Sequence, residues 1–235
     1  RIKSEGEDML IVGEVWEDAS IKIAYSEWRP YFMGNQLDSV MNYPFKEAIV
    51  AYALTGDKDE FVATVTHILE NYPKESLDVL MNLIDSHDTS RALTTLSGVK
   101  MPRKKADRAA FCLDDAQYAL AKKRLKLASA LQYVLPGVPC VFYGDEAGVQ
   151  GCEDPLNRVT YPWGREDEDL LDHYRMLGTF REKYCEFLTG ETHFVGDDNA
   201  LILERVCKDG TLRLVARDLS VNVFVNEELV LQVNC

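Results

Sequence analysis

Short apolar runs that end abruptly in polar residues alternate along this chain with longer stretches whose apolar positions recur at helical spacing. Four of the short runs read as strands: residues 9–15, where Met9-Leu10-Ile11-Val12 meets Gly13-Glu14-Val15-Trp16, then 37–43, 77–84 and 138–143. Asp57 opens a helical pattern whose Phe61, Val65, Ile68 and Leu69 repeat at i, i+4, i+7 and i+8. Ala121, Leu125, Ala128 and Leu135 stripe a longer helix with Lys122, Lys123 and Lys126 on its wet face, and Pro136-Gly137 stops it. A last helix covers about residues 168–185, preceded by Glu166-Asp167-Glu168-Asp169, an acidic run that suits the partial positive charge of a helix N-terminus.

The pattern changes after Gly190. Residues 200–207 and 211–216 form two strands joined across Lys208-Asp209-Gly210, a hairpin signal, and residues 221–225 and 229–233 continue the alternation. The expected architecture is therefore α/β, with about four βα units over residues 1–189 and a small antiparallel β domain over 190–235. Four such units are half of a (β/α)₈ barrel, which needs about 250 residues to close. Half a barrel leaves two open sheet edges, so the expectation is a piece of a longer protein or a domain completed by a partner chain.

Charge and composition narrow the function. With 39 acidic against 26 basic residues the net charge is -13, which repels a phosphate backbone and excludes nucleic acid as an expected partner. No apolar run reaches membrane-spanning length, Arg1-Ile2-Lys3-Ser4-Glu5 has no signal-peptide core, and no membrane partner is expected. Six cysteines (Cys112, Cys140, Cys152, Cys185, Cys207, Cys235) are dispersed without a C-x-x-C pair; they read as reduced thiols in a cytoplasmic setting, with Cys140 a small hydrophobe in a buried strand. No stretch has calcium-loop spacing, so no metal or cofactor is assigned, with calcium left open but unsupported by the sequence.

Three strand ends carry residues unsuited to a core: Glu14, then Ile84-Asp85-Ser86-His87-Asp88-Thr89-Ser90-Arg91, then Tyr143-Gly144-Asp145-Glu146. In a barrel these ends converge on one mouth, and carboxylates gathered there suit a cationic, oxocarbenium-like transition state. Asp145 and Glu146 read as scaffold residues that bond loop backbone. Trp28, Tyr31 and Phe32, in the loop after the first strand, are equally suited to stacking on sugar rings and to packing.

Gly13 to Asp18, Ile84 to Arg91 and Pro136 to Glu146 resemble successive signature segments of the α-amylase family of glycoside hydrolases. Asn35 to Phe45, Asp154-Pro155-Leu156-Asn157-Arg158 and Tyr161-Pro162-Trp163 narrow the resemblance to the neopullulanase, cyclomaltodextrinase and maltogenic amylase branch, over roughly residues 1–190. The resemblance implies hydrolysis of α-glucosidic bonds in maltooligosaccharides, cyclodextrins or pullulan with retention of configuration. It makes Glu14 the general acid/base, Asp88 the second catalytic carboxylate that steadies the transition state, and His87 a hydroxyl ligand. Trp16 is expected to shield Glu14, while Arg91, Asp154 and Arg158 are further candidates for substrate contact, the last two equally suited to an internal ion pair. The nucleophilic aspartate belongs to the strand preceding the one that ends at Glu14 and is expected upstream of Arg1 in a parent protein, which makes the fragment inactive alone. The expected partners are an α-glucan oligosaccharide and either a second copy of the chain or the N-terminal half of the barrel. The alternative is a non-catalytic carbohydrate-binding or interaction module completed by a partner.

Overall fold

A computed structural model describes residues 2–6 and 8–234; Cys235 and Arg1, both named above, lie outside the described residues. After a 3-10 turn at Ile2–Ser4 come β1 (Val12–Gly13), a small hairpin of β2 (Ile23–Ala24) and β3 (Glu27–Trp28), and β4 (Ser39–Val40). Three helices follow, α1 (Tyr43–Thr55), α2 (Lys58–Asn71) and the short α3 (Lys74–Asp78), then β5 (Met81–Asn82). Next are α4 (Ala92–Leu96), α5 (Lys105–Ala109), the long α6 (Asp115–Val134), β6 (Val138–Pro139) and α7 (Glu168–Lys183). A 3-10 turn at Cys185–Thr189 leads into β7 (Glu191–Val195), β8 (Leu201–Cys207), β9 (Gly210–Arg217), β10 (Ser220–Val225) and β11 (Glu228–Val233).

The four expected strands pair side by side and parallel, in chain order. Val12 lies beside Ser39 and Gly13 beside Val40; Met41 bridges to Met81; Met81 and Asn82 lie beside Val138 and Pro139. Their ends therefore point the same way. Each strand is much shorter than the apolar run that announced it: Leu77 and Asp78 belong to α3, and Tyr43 starts α1. The strands do not close into a barrel, and their inner side is open. Met9, Leu10 and Val12 are exposed, and Val138 is 48% exposed, so the expected buried strand around Cys140 is instead half-open, with Cys140 only partly covered.

Helix α1 escapes the sequence pattern because it is apolar on nearly every side, burying Phe45, Ala48, Ile49, Val50, Tyr52 and Ala53, so no amphipathic stripe marks it. The Asn42 side chain caps it by accepting the Phe45 N–H at 3.2 Å. Asp57 caps α2 as expected, accepting from Asp59 and Glu60 N–H, both at 3.1 Å, and Phe61, Val65 and Ile68 are buried. Asp114 and Gln117 form a capping box on α6. Gly137 follows it at φ 111, where a Cβ would stand 2.6 Å from the Leu80 carbonyl oxygen, so only glycine fits the turn into β6.

The acidic run before α7 does more than complement its N-terminus. Asp167 accepts from the Leu170 N–H at 3.2 Å, from the Tyr118 hydroxyl at 2.8 Å and from Lys122 at 3.0 Å, while Asp169 pairs with Lys126 at 2.6 Å. These bonds fasten α7 along α6. Beneath the parallel strands runs a buried chain of amides: Asn42 Nδ2 donates to Asn82 Oδ1 (2.9 Å), Asn82 Nδ2 to Pro136 O (2.7 Å), and Gln132 Nε2 to Asn82 O (2.9 Å) and Cys140 O (3.0 Å).

The C-terminal strands form an antiparallel meander in spatial order β11-β10-β9-β8-β7, with inward Leu201, Leu203, Leu212, Leu214, Val221, Val223 and Leu231. The hairpin at Lys208-Asp209-Gly210 is the expected one, and β7 is an additional edge strand. Arg205, wholly buried on β8, donates to the carbonyls of Val134 (2.8 Å) at the end of α6, of Gly190 (3.1 Å) and of Leu188. A cation lodged at carbonyl-rich helix ends is favourably placed, which offsets its burial. Burial still lowers its pKa, to about 10.

Candidate active site

Glu14 directly follows β1 and is exposed to solvent on the open side of the sheet. Two donors converge on one of its oxygens: the Trp16 indole Nε1 at 3.1 Å and the Tyr43 hydroxyl at 3.4 Å. The Trp16 ring stacks on Tyr43 with centroids 4.0 Å apart and planes 13° from parallel. Trp16 thus meets Glu14 through its N–H, not through the apolar face that shielding would require. Tyr43 is nearly inaccessible at the start of α1, and burial chiefly raises its pKa. Its hydroxyl also lies 3.3 Å from Ser86 Oγ, so one phenol links the end of β1 to the end of β5.

The segment after β5 folds into a tight turn. Ser86 N–H donates to Thr89 Oγ1 at 2.9 Å and Asp88 N–H to Ser86 Oγ at 3.2 Å, which leaves the His87 and Asp88 side chains half-exposed and 3.2 Å apart. Arg158 crosses to them from the loop after β6: Nη2 reaches Asp88 Oδ1 at 3.2 Å, and Nε reaches Asp154 Oδ1 at 2.8 Å and the His87 carbonyl at 3.1 Å. Asn157, wholly buried beside it, donates from Nδ2 to the carbonyls of Ser86 (3.3 Å), His87 (2.8 Å) and Thr89 (2.6 Å). The structure therefore gathers His87, Asp88, Asp154 and Arg158 in one cluster, and Glu14 with Trp16 in a second, bridged by Tyr43 and Ser86.

Arg91 stands apart from both. Expected as a substrate contact, it is 0% exposed. Its guanidinium donates to the carbonyls of Asn157 (2.7 Å) and Tyr143 (2.5 Å) and lies over the Phe142 ring, 4.0 Å from its centroid. Facing inward, Arg91 orders the loops and does not reach the open shelf. Near it lie two buried carboxyls, Asp85 and Asp145. Asp85 Oδ2 accepts the Ala92 N–H at 2.7 Å, and Arg91 Nη1 is 3.6 Å from Asp145 Oδ1. Burial and then the charge of Asp85 push the Asp145 carboxyl well above the usual range, and burial raises Asp85 too. Asp85 Oδ1 and Asp145 Oδ1 are both buried without a hydrogen-bond partner among the described residues. Asp145 is thus a buried acid, not the backbone-binding scaffold expected of it, whereas Glu146 does accept a backbone bond, from Gly144 N–H at 2.9 Å.

The aromatics after β1 divide. Phe32 packs on Tyr72 with centroids 4.7 Å apart and Tyr31 packs against the core, while Trp28 stays exposed on β3 with its indole bonded to the Ser20 carbonyl at 3.0 Å. Sequence reasoning missed Tyr43 as a site residue because it ended an apolar run; its place before Pro44, next to the helix cap Asn42, was the available signal. A groove of about 540 Å³ between α2 and β7 is lined by none of these residues. Among the described residues no group of three or more His, Cys, Asp or Glu side chains is arranged to hold a metal, and no helix is long and apolar enough to cross a membrane.

A family profile described as "Alpha amylase, catalytic domain" matches residues 1–187. Among curated relatives, a cyclomaltodextrinase of Bacillus sp is 31% identical over 198 residues, covering 83% of this chain and 30% of its own. Neopullulanase 2 of Thermoactinomyces vulgaris is 33% identical over 193 residues, covering 80% of this chain and 28% of its own. A solved cyclomaltodextrinase superposes with a TM-score of 0.74 at 29% identity, over 95% of this chain and 35% of that one. The chain thus spans about a third or less of the length of each.

Proposed function

The chain belongs to the α-amylase family, and from that premise we propose that residues 1–189 are the second half of a (β/α)₈ catalytic barrel and residues 190–235 its C-terminal β domain. The parent enzyme hydrolyses α-glucosidic bonds of maltooligosaccharides, cyclodextrins or pullulan by double displacement. The observation that carries this reading is the meeting of Glu14 with the His87–Asp88 turn at like-facing ends of parallel strands, joined through Tyr43.

Glu14 is the proton donor to the glycosidic oxygen and, in the second step, the base that takes a proton from water. The acid must be protonated when the bond breaks, which requires that its carboxyl be withdrawn from water; in the described residues it is exposed, so the covering surface belongs to the other half of the barrel. Trp16 aims the carboxyl through its N–H bond. Asp88 and His87 hold sugar hydroxyls and resist the flattening ring's loss of position, with Asp154 and Arg158 extending the polar shelf. A retaining mechanism needs a second carboxyl about 5 to 5.5 Å from the first, acting as nucleophile. The resemblance gives Asp88 a different role on a different strand, so that nucleophile comes from the other half, to which the exposed Met9, Leu10 and Val12 offer an apolar surface.

The 235-residue chain alone is accordingly inactive but retains sugar-binding groups. Assay on maltotriose, cyclodextrin and pullulan tests this: no turnover is expected, and turnover that persists in Glu14→Gln overturns both the assigned acid and the division of labour. The open, polar shelf also suits a second reading, a carbohydrate-binding module without catalysis. Complementation with the N-terminal half of a relative separates the two, because only the first reading expects turnover to appear.

A further inference from the structure

The loop after β6 carries Asn157, a residue that cannot touch sugar because it is wholly buried, yet all its donor capacity is spent on the turn that presents His87 and Asp88. We propose that Asn157 is a positioning residue: its carboxamide, clasping the Ser86, His87 and Thr89 carbonyls, sets the direction in which the His87–Asp88 pair faces the substrate. The proposal rests on the reading of that pair as sugar-holding.

Three features support it. The three acceptors belong to one turn, so a single planar NH₂ group, with one hydrogen shared between two carbonyls, ties three peptide planes of that turn together. Asn157 is itself held from behind, since its backbone carbonyl accepts Arg91 Nε at 2.7 Å, and the Arg91 N–H donates to the Gly151 carbonyl at 3.0 Å. The clasp is therefore anchored to the buried Arg91 and not to a mobile loop. The residue type is also specific: an aspartate would set a carboxylate against three carbonyl oxygens, and an alanine would leave the Thr89 carbonyl without its donor and the Ser86 and His87 carbonyls with only Thr89 and Arg158. Arg158, next in sequence, grips the outer side of the same turn at the His87 carbonyl and Asp88. One dipeptide thus holds the turn from within and from without.

The test uses the 235-residue chain and its four histidines, of which His67, His173 and His193 serve as internal references for His87. Imidazole nitrogen resonances are recorded at one fixed pH in wild type, Asn157→Ala and Asn157→Asp, with maltotriose affinity measured in parallel. The expected result is displacement of the His87 resonances in both variants, with the three references unmoved and maltotriose binding weakened about tenfold, equivalent to about 1.4 kcal/mol. His87 unmoved with the references intact overturns the proposal. Displacement of all four, or loss of folding in both variants, also overturns it, because the clasp would then be general structure and not a local setting. Should His87 move while the wild-type chain binds no maltotriose, the positioning stands and the assignment of the pair to sugar falls.

Discussion

Replacing each of the two buried aspartates by asparagine is expected to give unequal costs although both carboxyls are buried. Burial and then the charge of Asp85 raise the Asp145 carboxyl well above the usual range, which favours its protonated form. An amide at 145 can donate where the carboxyl O–H does, so Asp145→Asn exchanges one neutral donor for another at a cost below about 1 kcal/mol. Asp85 accepts the Ala92 N–H, and burial raises its carboxyl while Asp145, the Ala92 N–H and Arg91 pull it back down. An amide at 85 can turn its NH₂ against the Ala92 N–H and leaves that buried donor poorly met, so Asp85→Asn costs about 1–3 kcal/mol. Urea unfolding at pH 7 reads the difference directly. The pH dependence gives a second check. Asp145, with its folded-state pKa raised above 3.8, contributes stability that is present below that value and is lost as pH rises through the folded one. His173 acts in the opposite sense: burial lowers its pKa to about 4, so its contribution is present above 6.5 and lost as pH falls through 4. That depression is worth about 3 kcal/mol at about 1.4 kcal/mol per tenfold in proton affinity. The two oppose each other between pH 4 and 6.5, and Asp145→Asn should steepen the rise of stability over that window. Equal costs for the two substitutions at pH 7, or an unchanged slope in Asp145→Asn, would refute the assignment of the proton.

Tyr43→Phe keeps the ring beneath Trp16 and loses only the hydroxyl, so urea unfolding shifts by about 1 kcal/mol or less, whereas Tyr43→Ala costs about 3–5 kcal/mol in the same assay. Arg205→Met deprives the Val134, Leu188 and Gly190 carbonyls of their donor and should cost about 3 kcal/mol in thermal unfolding, with the difference absent if water reaches those groups. Gly137→Ala combines a φ of 111 with a Cβ 2.6 Å from Leu80 O, and a cost of about 2 kcal/mol or more is expected in urea.

What the chain reveals before folding depends on whether a feature has a period or a partner. Phe61, Val65 and Ile68 announce α2 because one face is wet, and Asp209-Gly210 announces its hairpin through backbone conformation alone. Helix α1 is buried on most sides and has no period to detect. The strand runs are legible in number and order but not in length, since Tyr43 and Leu77 are as apolar in a helix as in a strand. At the site, the charged strand ends stand out as residue types, while their orientation does not. Arg91 and Arg158 look alike in sequence; one turns inward onto carbonyls and the Phe142 ring, the other outward onto Asp88, and only the fold separates them. Likewise nothing in Glu14-Val15-Trp16 says that the indole offers its N–H rather than its face.

The buried amides under the parallel strands have a consequence for how the site keeps its dimensions. Strands that pair over only two residues have little in their backbones to prevent a slip, and a slip by one residue would turn every side chain to the opposite face. The amides remove that freedom: moving β5 by one residue along its neighbours would withdraw Asn82 from Asn42, Pro136 and Gln132 together, stranding several polar groups in the core. Asn42 is also the cap of α1, whose first residue is Tyr43. The register of the sheet and the height of the phenol beside Glu14 are therefore a single setting, written in two asparagines and a glutamine.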